Sequence, residues 1–173
     1  FGGIAGDSIA NDVVGRELPP FDEKRAEEMI KALEAPLGRE GLDLYPLRER
    51  LRLSNWENLG IIRKEKGLMD GLKTIDELKE KMDQVGIPGT RAYNILWNDW
   101  LNMRNMLETS EMIGRAALER KESRGAHFRD DFPEKNNKEY LKNFFIKRVN
   151  GKMKIYERPV ILSRLKPEEV GFE

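Results

Sequence analysis

TRAYNILWNDWLNMRNMLETSEMIGRAALER, residues 90–120, is the longest stretch of one periodicity in this 173-residue chain. Tyr93, Leu96, Trp97, Trp100, Arg104, Leu107, Glu111, Gly114 and Leu118 recur every three or four positions, apolar except towards the C-terminal end. Such spacing lines one face of an α-helix, on the order of 45 Å long at 1.5 Å per residue. A helix of that length is the spine of a bundle. Its two tryptophans three positions apart are read as core filling rather than as a cofactor stack, because large aromatics fill the interior of a chain with few apolar residues.

Shorter elements lie upstream of the spine. Leu68, Leu72, Ile75, Leu78 and Met82 predict a helix closed by Gly86, Pro88 and Gly89. Before it, Pro46 sits at a first-turn position, and Leu47, Leu51, Leu53 and Trp56 are assigned to one face of another helix. Asp22 is a good N-cap for a short amphipathic helix with the stripe Ala26, Met29, Ile30 and Leu33. Residues 1–14 mix Gly2, Gly3, Ala5, Gly6, Ser8 and Ala10 with isolated Ile and Val. Small residues add little helix propensity, so a helix there needs a neighbouring backbone to pack against. Downstream, Phe144 to Val149 predicts a strand, Asn150-Gly151 is a strong hairpin-turn signal, and Lys152 to Leu162 predicts the returning strand. The expected fold is therefore mainly α: an antiparallel helical bundle of three to four main helices, the longest at about residues 90–120, followed by a C-terminal β-hairpin.

Charge and composition narrow the chemistry. Charged residues make up 36% of the chain and apolar ones 39%, so a small core lies under a heavily charged surface. Lys plus Arg and Asp plus Glu are 31 each, which excludes a role resting on global charge. The zero sum is nevertheless polarised: residues 142–166 hold eight Lys/Arg against one acid, and residues 17–43 hold eight acids against four bases. Cysteine is absent, which removes disulfides, thiolate metal sites and thiol nucleophiles. The single histidine, His127, removes motifs that need two imidazoles. The longest apolar runs, such as Pro159-Val160-Ile161-Leu162, are too short to span a bilayer.

The segment with most chemical information is RKESRGAHFRDDFP, from Arg120 to Pro133. It is irregular, places four Lys/Arg beside three acids, and holds the only histidine. Fork-shaped guanidinium donors next to carboxylates suit a buried or interfacial ion-pair network. Ser123 and His127 do not make a catalytic triad at this spacing, because no nucleophile elbow is present and triad members come from distant segments. A structural histidine is the expected role.

These residues resemble a family. RKESRGAHFRDDFP is similar to the signature of the C-terminal domain of the succinate dehydrogenase/fumarate reductase flavoprotein subunit. WENLGIIRKEKGL from Trp56, RNMLETSEMIGRAALERKESRG from Arg104 and FGGIAGDSIA from Phe1 extend the likeness over nearly the whole chain. Gly3 departs from it, since many members carry arginine there. L-aspartate oxidase and adenylylsulfate reductase share the architecture, but Ala126-His127-Phe128-Arg129 with its Asp-Phe-Pro ending favours the succinate/fumarate group.

The resemblance implies a parent oxidoreductase that oxidises succinate or reduces fumarate with FAD and passes electrons to an iron–sulfur subunit. It implies that residues 1–15 are the terminal helix of the FAD-binding domain, residues 16–136 a helical bundle domain and residues 137–173 its hairpin extension. The absent initiator Met and the small-residue first helix are read accordingly as a cut. No residue here matches a catalytic, FAD-binding or metal-binding position of the family, so the 173 residues alone are expected to be inactive and to bind no FAD. Arg120, Glu122, Ser123, Arg124, His127 and Arg129 are the candidate interdomain and subunit interface, with the basic hairpin as a further docking surface. The expected partners are the FAD-binding domain and the iron–sulfur subunit, with no nucleic acid and no direct membrane insertion. The expected location is cytoplasmic, peripheral at the membrane within a complex.

Two readings of another class compete. Phe144, Phe145 and Tyr156 among Lys and Arg superficially resemble a nucleic-acid stacking platform. An independent small enzyme would need paired carboxylates, and Asp130 and Asp131 are sequence neighbours that need not converge on one substrate.

Overall fold

The computed structural model describes residues 1–164. The described chain divides into two compact units, Phe1–Ala35 and a second beginning at Pro36.

The first unit holds α1 (Gly2–Val13) and α2 (Glu23–Glu34). Asp22 caps α2 by accepting the Arg25 backbone N–H at 2.9 Å, as its position predicts. Neither helix contains a buried residue, and α1 leaves Ile4, Ile9 and Val13 exposed. Residues 16–35 thus fall with the first helix here, whereas the sequence places them with the bundle. Residues 165–173 of the expected hairpin extension lie outside the described residues.

In the second unit α3 (Leu44–Asn58), α4 (Glu65–Met82) and α5 (Ile95–Glu119) form the bundle. The contacts fix its topology. Gly71 at the start of α4 faces Leu59 after α3, and Arg50 reaches Glu77, so α3 and α4 run antiparallel. Gly114 late in α5 faces Leu72 in α4, and the Trp100 indole N–H points to the Met82 carbonyl, so α4 and α5 run antiparallel as well. Leu44, Leu47, Leu51, Leu68, Ile75, Leu78, Met103 and Leu107 fill the space between them. Burial of a side chain of this size contributes about 1.5–3 kcal/mol.

Three details depart from the expected pattern. Helix α5 starts at Ile95 because Asn94 accepts the Trp97 N–H at 3.0 Å and donates to the Pro88 and Thr90 carbonyls. Tyr93 lies outside it, fully exposed at φ 55°. On α5 it is Met103 that is buried. Arg104 is exposed and stacks its guanidinium 4.9 Å over the Trp100 ring. On α3, Ser54 takes the core slot three residues after Leu51, which turns Leu53 and Trp56 outwards, the latter 75% exposed.

The segments flanking the bundle cross at glycine. Leu42 and Val85 form a parallel bridge, and a Cβ at Gly41 or Gly86 would run into the backbone of the other segment.

Two short strands are not signalled by any local pattern: β1 (Ile62–Arg63) and β2 (Phe128–Arg129) pair in parallel, Ile62 beside Phe128 and Arg63 beside Arg129. After α6 (Asn137–Tyr140) comes the expected hairpin, β3 (Lys142–Val149) and β4 (Lys152–Pro159). Its turn residues Asn150 and Gly151 both have positive φ, 50° and 75°, as a type I′ turn requires. Strand β4 ends at Pro159 rather than Leu162, because proline has no N–H to donate to the ladder.

Candidate functional site

All six residues singled out in the sequence come together where α5 ends. Glu122 is fully buried, and its carboxylate is saturated. Arg124 donates to Oε1 at 2.8 Å and to Oε2 at 3.0 Å, the Asn136 backbone N–H donates to Oε2 at 2.8 Å, and Arg120 donates to Oε1. Burial by itself would raise the Glu122 pKa. The bonds from Arg124, Asn136 and Arg120 outweigh it and hold the carboxyl below its ordinary value. The same Arg120 guanidinium ties down the hairpin: Nη1 also donates to the Tyr140 carbonyl at 3.0 Å, Nη2 donates to the Lys142 carbonyl at 2.7 Å, and the group stacks 4.7 Å over Phe144.

Arg129 is fully buried as well. Its Nη1 donates to the carbonyls of Ala117, Leu118 and Arg120, orphan acceptors at the C-terminal end of α5. Its other two nitrogens grip Asp131 bidentately at 2.7 and 2.8 Å. Asp131 in turn accepts the Glu65 backbone N–H at 2.8 Å, a cap on α4 that the adjoining Lys64 cannot supply. The Ser123 hydroxyl accepts the Arg129 N–H at 2.9 Å and donates to the Phe132 carbonyl at 2.9 Å. Its hydrogen bonds are to the backbone, and among the described residues none joins it to His127.

His127 is a structural residue. Arg63 donates to Nδ1 at 2.8 Å, so Nδ1 is the acceptor and Nε2 carries the proton, which it donates to the Arg120 carbonyl at 3.2 Å. Arg63 also closes α3 through the Leu59 and Gly60 carbonyls at 3.1 and 2.7 Å. Burial lowers the His127 pKa. The bond to the Arg120 carbonyl opposes that shift, and the charges of Arg63, Arg129 and Arg120 reinforce it. The contribution of His127 to stability is thus complete above the ordinary histidine pKa and is lost as pH falls below it. We expect ¹⁵N NMR to show a neutral Nε2–H tautomer with a titration midpoint below about 6.5; a midpoint at or above that value would contradict the assignment.

Two residues central to this network were not singled out from sequence. Arg63 lies 64 positions before His127 and is brought to it by the β1–β2 pairing. Asp131 belonged to the considered acid pair, but it is engaged by Arg129 and Glu65 while Asp130 is exposed. The pair forms no catalytic dyad. No carboxylate of the network is left open as a base.

What the network does is hold helix ends together. It closes α3 and α5, caps α4, anchors the start of β3 and projects the turn from Arg124 to His127. That turn is closed by reciprocal backbone bonds of 2.8 and 3.0 Å, with Gly125 at φ 59°. At its tip Gly125 and Ala126 are exposed. Next to it Ile62 and Phe128 lie side by side, 68% and 39% exposed.

Known proteins resemble this chain in sequence and fold. Residues 48–171 match the family described as fumarate reductase flavoprotein C-term. An uncharacterised FAD-dependent oxidoreductase of Methanocaldococcus jannaschii is 36% identical over 159 residues, 91% of this chain and 28% of that protein. The 8-methylmenaquinol:fumarate reductase flavoprotein subunit of Wolinella succinogenes is 31% identical, over 73% of this chain and 21% of its own length. L-aspartate oxidases are among the relatives as well. Among solved structures, the Mycobacterium smegmatis Sdh1 complex in the apo form superposes with a TM-score of 0.79 at 31% identity, covering 95% of this chain and 29% of that one. The chain thus spans 28%, 21% and 29% of the Methanocaldococcus, Wolinella and Mycobacterium proteins, and it belongs to the fumarate reductase flavoprotein C-terminal family.

Proposed function

We infer that this chain is the C-terminal domain of a flavoprotein that oxidises succinate or reduces fumarate with FAD and passes electrons to an iron–sulfur subunit. Within it the domain is a scaffold: it supports the FAD-binding domain and presents a docking surface to the partner subunit, with the parent held peripherally at the membrane. The observation that carries this reading is the buried network of Glu122 and Arg129. Its charges are satisfied internally, and its product is one rigid exposed turn beside an apolar ledge. Because Glu122 and Arg129 have no exposed surface, their part in docking is to position Arg124, Ala126 and His127.

The flavin is not assigned to these residues. No described strand runs into a glycine-rich turn and helix that would cradle a pyrophosphate, and the buried arginines are already committed to carbonyls and carboxylates. No step of the reaction is therefore derived from this chain. Among the described residues, no helix is long and apolar enough to cross a membrane.

The test uses the full-length subunit, assayed with succinate, fumarate and L-aspartate, alongside an Ala126→Arg variant. Ala126 is exposed and outside the ion network, so the fold and the FAD content should be retained, while capture of the iron–sulfur subunit falls by about tenfold, as for a central interface position. Unchanged capture would remove the turn from the interface. Turnover of L-aspartate in preference to succinate would reassign the substrate.

A further inference from the structure

The two faces of the hairpin differ in a way the fold does not require. On one face Lys142 is paired with Glu157 at 2.7 Å, Arg148 with Glu108 of α5, and Phe144 lies under Arg120. The other face is exposed. There Phe145 stands opposite Tyr156, and Lys147 directly opposite Lys154, with Lys152 and Arg158 at the two ends. Among the described residues none of these lysines has a carboxylate partner, and Arg158 stacks 5.5 Å over the Phe145 ring. Like charges directly across a strand pair are destabilising. A shallow depression of about 460 Å³ lies beside the aromatic pair.

We propose that this face binds an extended acidic segment of a protein partner, its carboxylates on Lys147, Lys152 and Lys154 and an apolar side chain on Phe145 and Tyr156. The proposal rests on the reading of the hairpin as a docking surface and names the chemistry of what docks there. Charge complementarity selects an anion, since the lysines are concentrated on one face and have no carboxylate partner among the described residues. Dimensions select a peptide. The three lysines and the aromatic pair extend from Lys152 to Tyr156, about 13 Å, which four or so residues of extended chain cover at 3.3 Å each. That is shorter than the run of about four nucleotides that the smallest single-strand platforms follow. The zero net charge of the chain also provides no long-range field for a polyanion.

The experiment measures fluorescence anisotropy of a labelled peptide with glutamate, glutamate and valine at successive alternate positions, so that all three point to one side of the extended chain, with the full-length subunit. An oligothymidylate of equal charge and phosphatidylserine vesicles are run in parallel. Salt-sensitive binding of the peptide is expected, weakened about tenfold or more by Lys147→Glu with Lys154→Glu. Lys147→Gln with Lys154→Gln relieves the cross-strand repulsion, so it keeps the fold and is expected to weaken binding less. Unchanged peptide affinity in both variants would overturn the proposal, as would tighter binding of the oligonucleotide or the vesicles. Full capture of the iron–sulfur subunit by the Lys→Glu variant, with capture lost in Ala126→Arg, would overturn this proposal while leaving the docking turn in place.

Discussion

Glu122→Ala is expected to destabilise the protein by about 3 kcal/mol, read as a fall in the urea midpoint with little change in slope. The carboxylate is fully buried and accepts four hydrogen bonds, three from guanidinium nitrogens and one from the Asn136 N–H. Its removal leaves two cations facing each other without the anion between them, and a backbone donor without a partner. Breaking a buried ion pair from one side costs about 3–5 kcal/mol. The side chains of Arg120 and Arg124 retain 16% and 27% exposure, so water relieves part of the penalty, which sets the lower end of that range. Glu122→Gln keeps the shape and one acceptor, and should lie between. Because Arg120 also holds the Tyr140 and Lys142 carbonyls, amide exchange in β3 should accelerate in the Ala variant before exchange in α4 does. A loss below about 0.5 kcal/mol would mean that the network is cosmetic.

The bundle was legible in sequence where one local rule decides. Periodicity identified α4 and most of α5, because both bury a continuous stripe, and turn chemistry identified the hairpin through Asn150-Gly151. The errors have local causes too. Asn94 is a good N-cap, and reading it as one would have started α5 at Ile95. Hydrophobicity alone puts Leu53 and Trp56 on the core face, although their helical angles from Leu51 point away from it. Long-range geometry was not legible. Two-residue strands such as β1 and β2 have no period, and their pairing is fixed by helix ends, distant in sequence, that antiparallel packing brings to one end of the bundle.

The candidate site divides in the same way. That a segment with arginines, acids and one histidine forms an ion network follows from residue chemistry. Which residue serves which does not. Arg63 could be found only through the strand pairing, and Asp131 changed from a possible catalytic acid to a helix cap once Glu65 lay against it. Ser123, adjacent in sequence to a triad pattern, is used by the backbone of its own loop.

Arg129→Ala should be the most damaging single substitution, at about 3–5 kcal/mol, and its effect should depend on pH. Arg129 is fully buried, donates to three carbonyls at the end of α5 and holds Asp131 in a fork. Alanine orphans all of these at once. Lysine restores the charge but not the fork, so Arg129→Lys should recover only part of the loss. The bond from Arg129 is the main reason that the Asp131 pKa is lowered from 3.8 to about 2; burial opposes it, and the Glu65 N–H assists. A carboxyl with a depressed folded pKa contributes stability that is present above its unfolded value and disappears as pH falls through the folded one. For this partly exposed group the contribution is about 1 kcal/mol once solvent screening is discounted. It is present above about pH 4 and gone by about pH 2 in the natural protein, and in Arg129→Ala it is reduced to what the Glu65 N–H supplies. Urea midpoints measured across that interval should therefore converge by up to about that amount as the solution is acidified. A constant gap between the two proteins from neutral pH to about pH 2 would show that Arg129 acts only through the α5 carbonyls and that its pairing with Asp131 adds no stability.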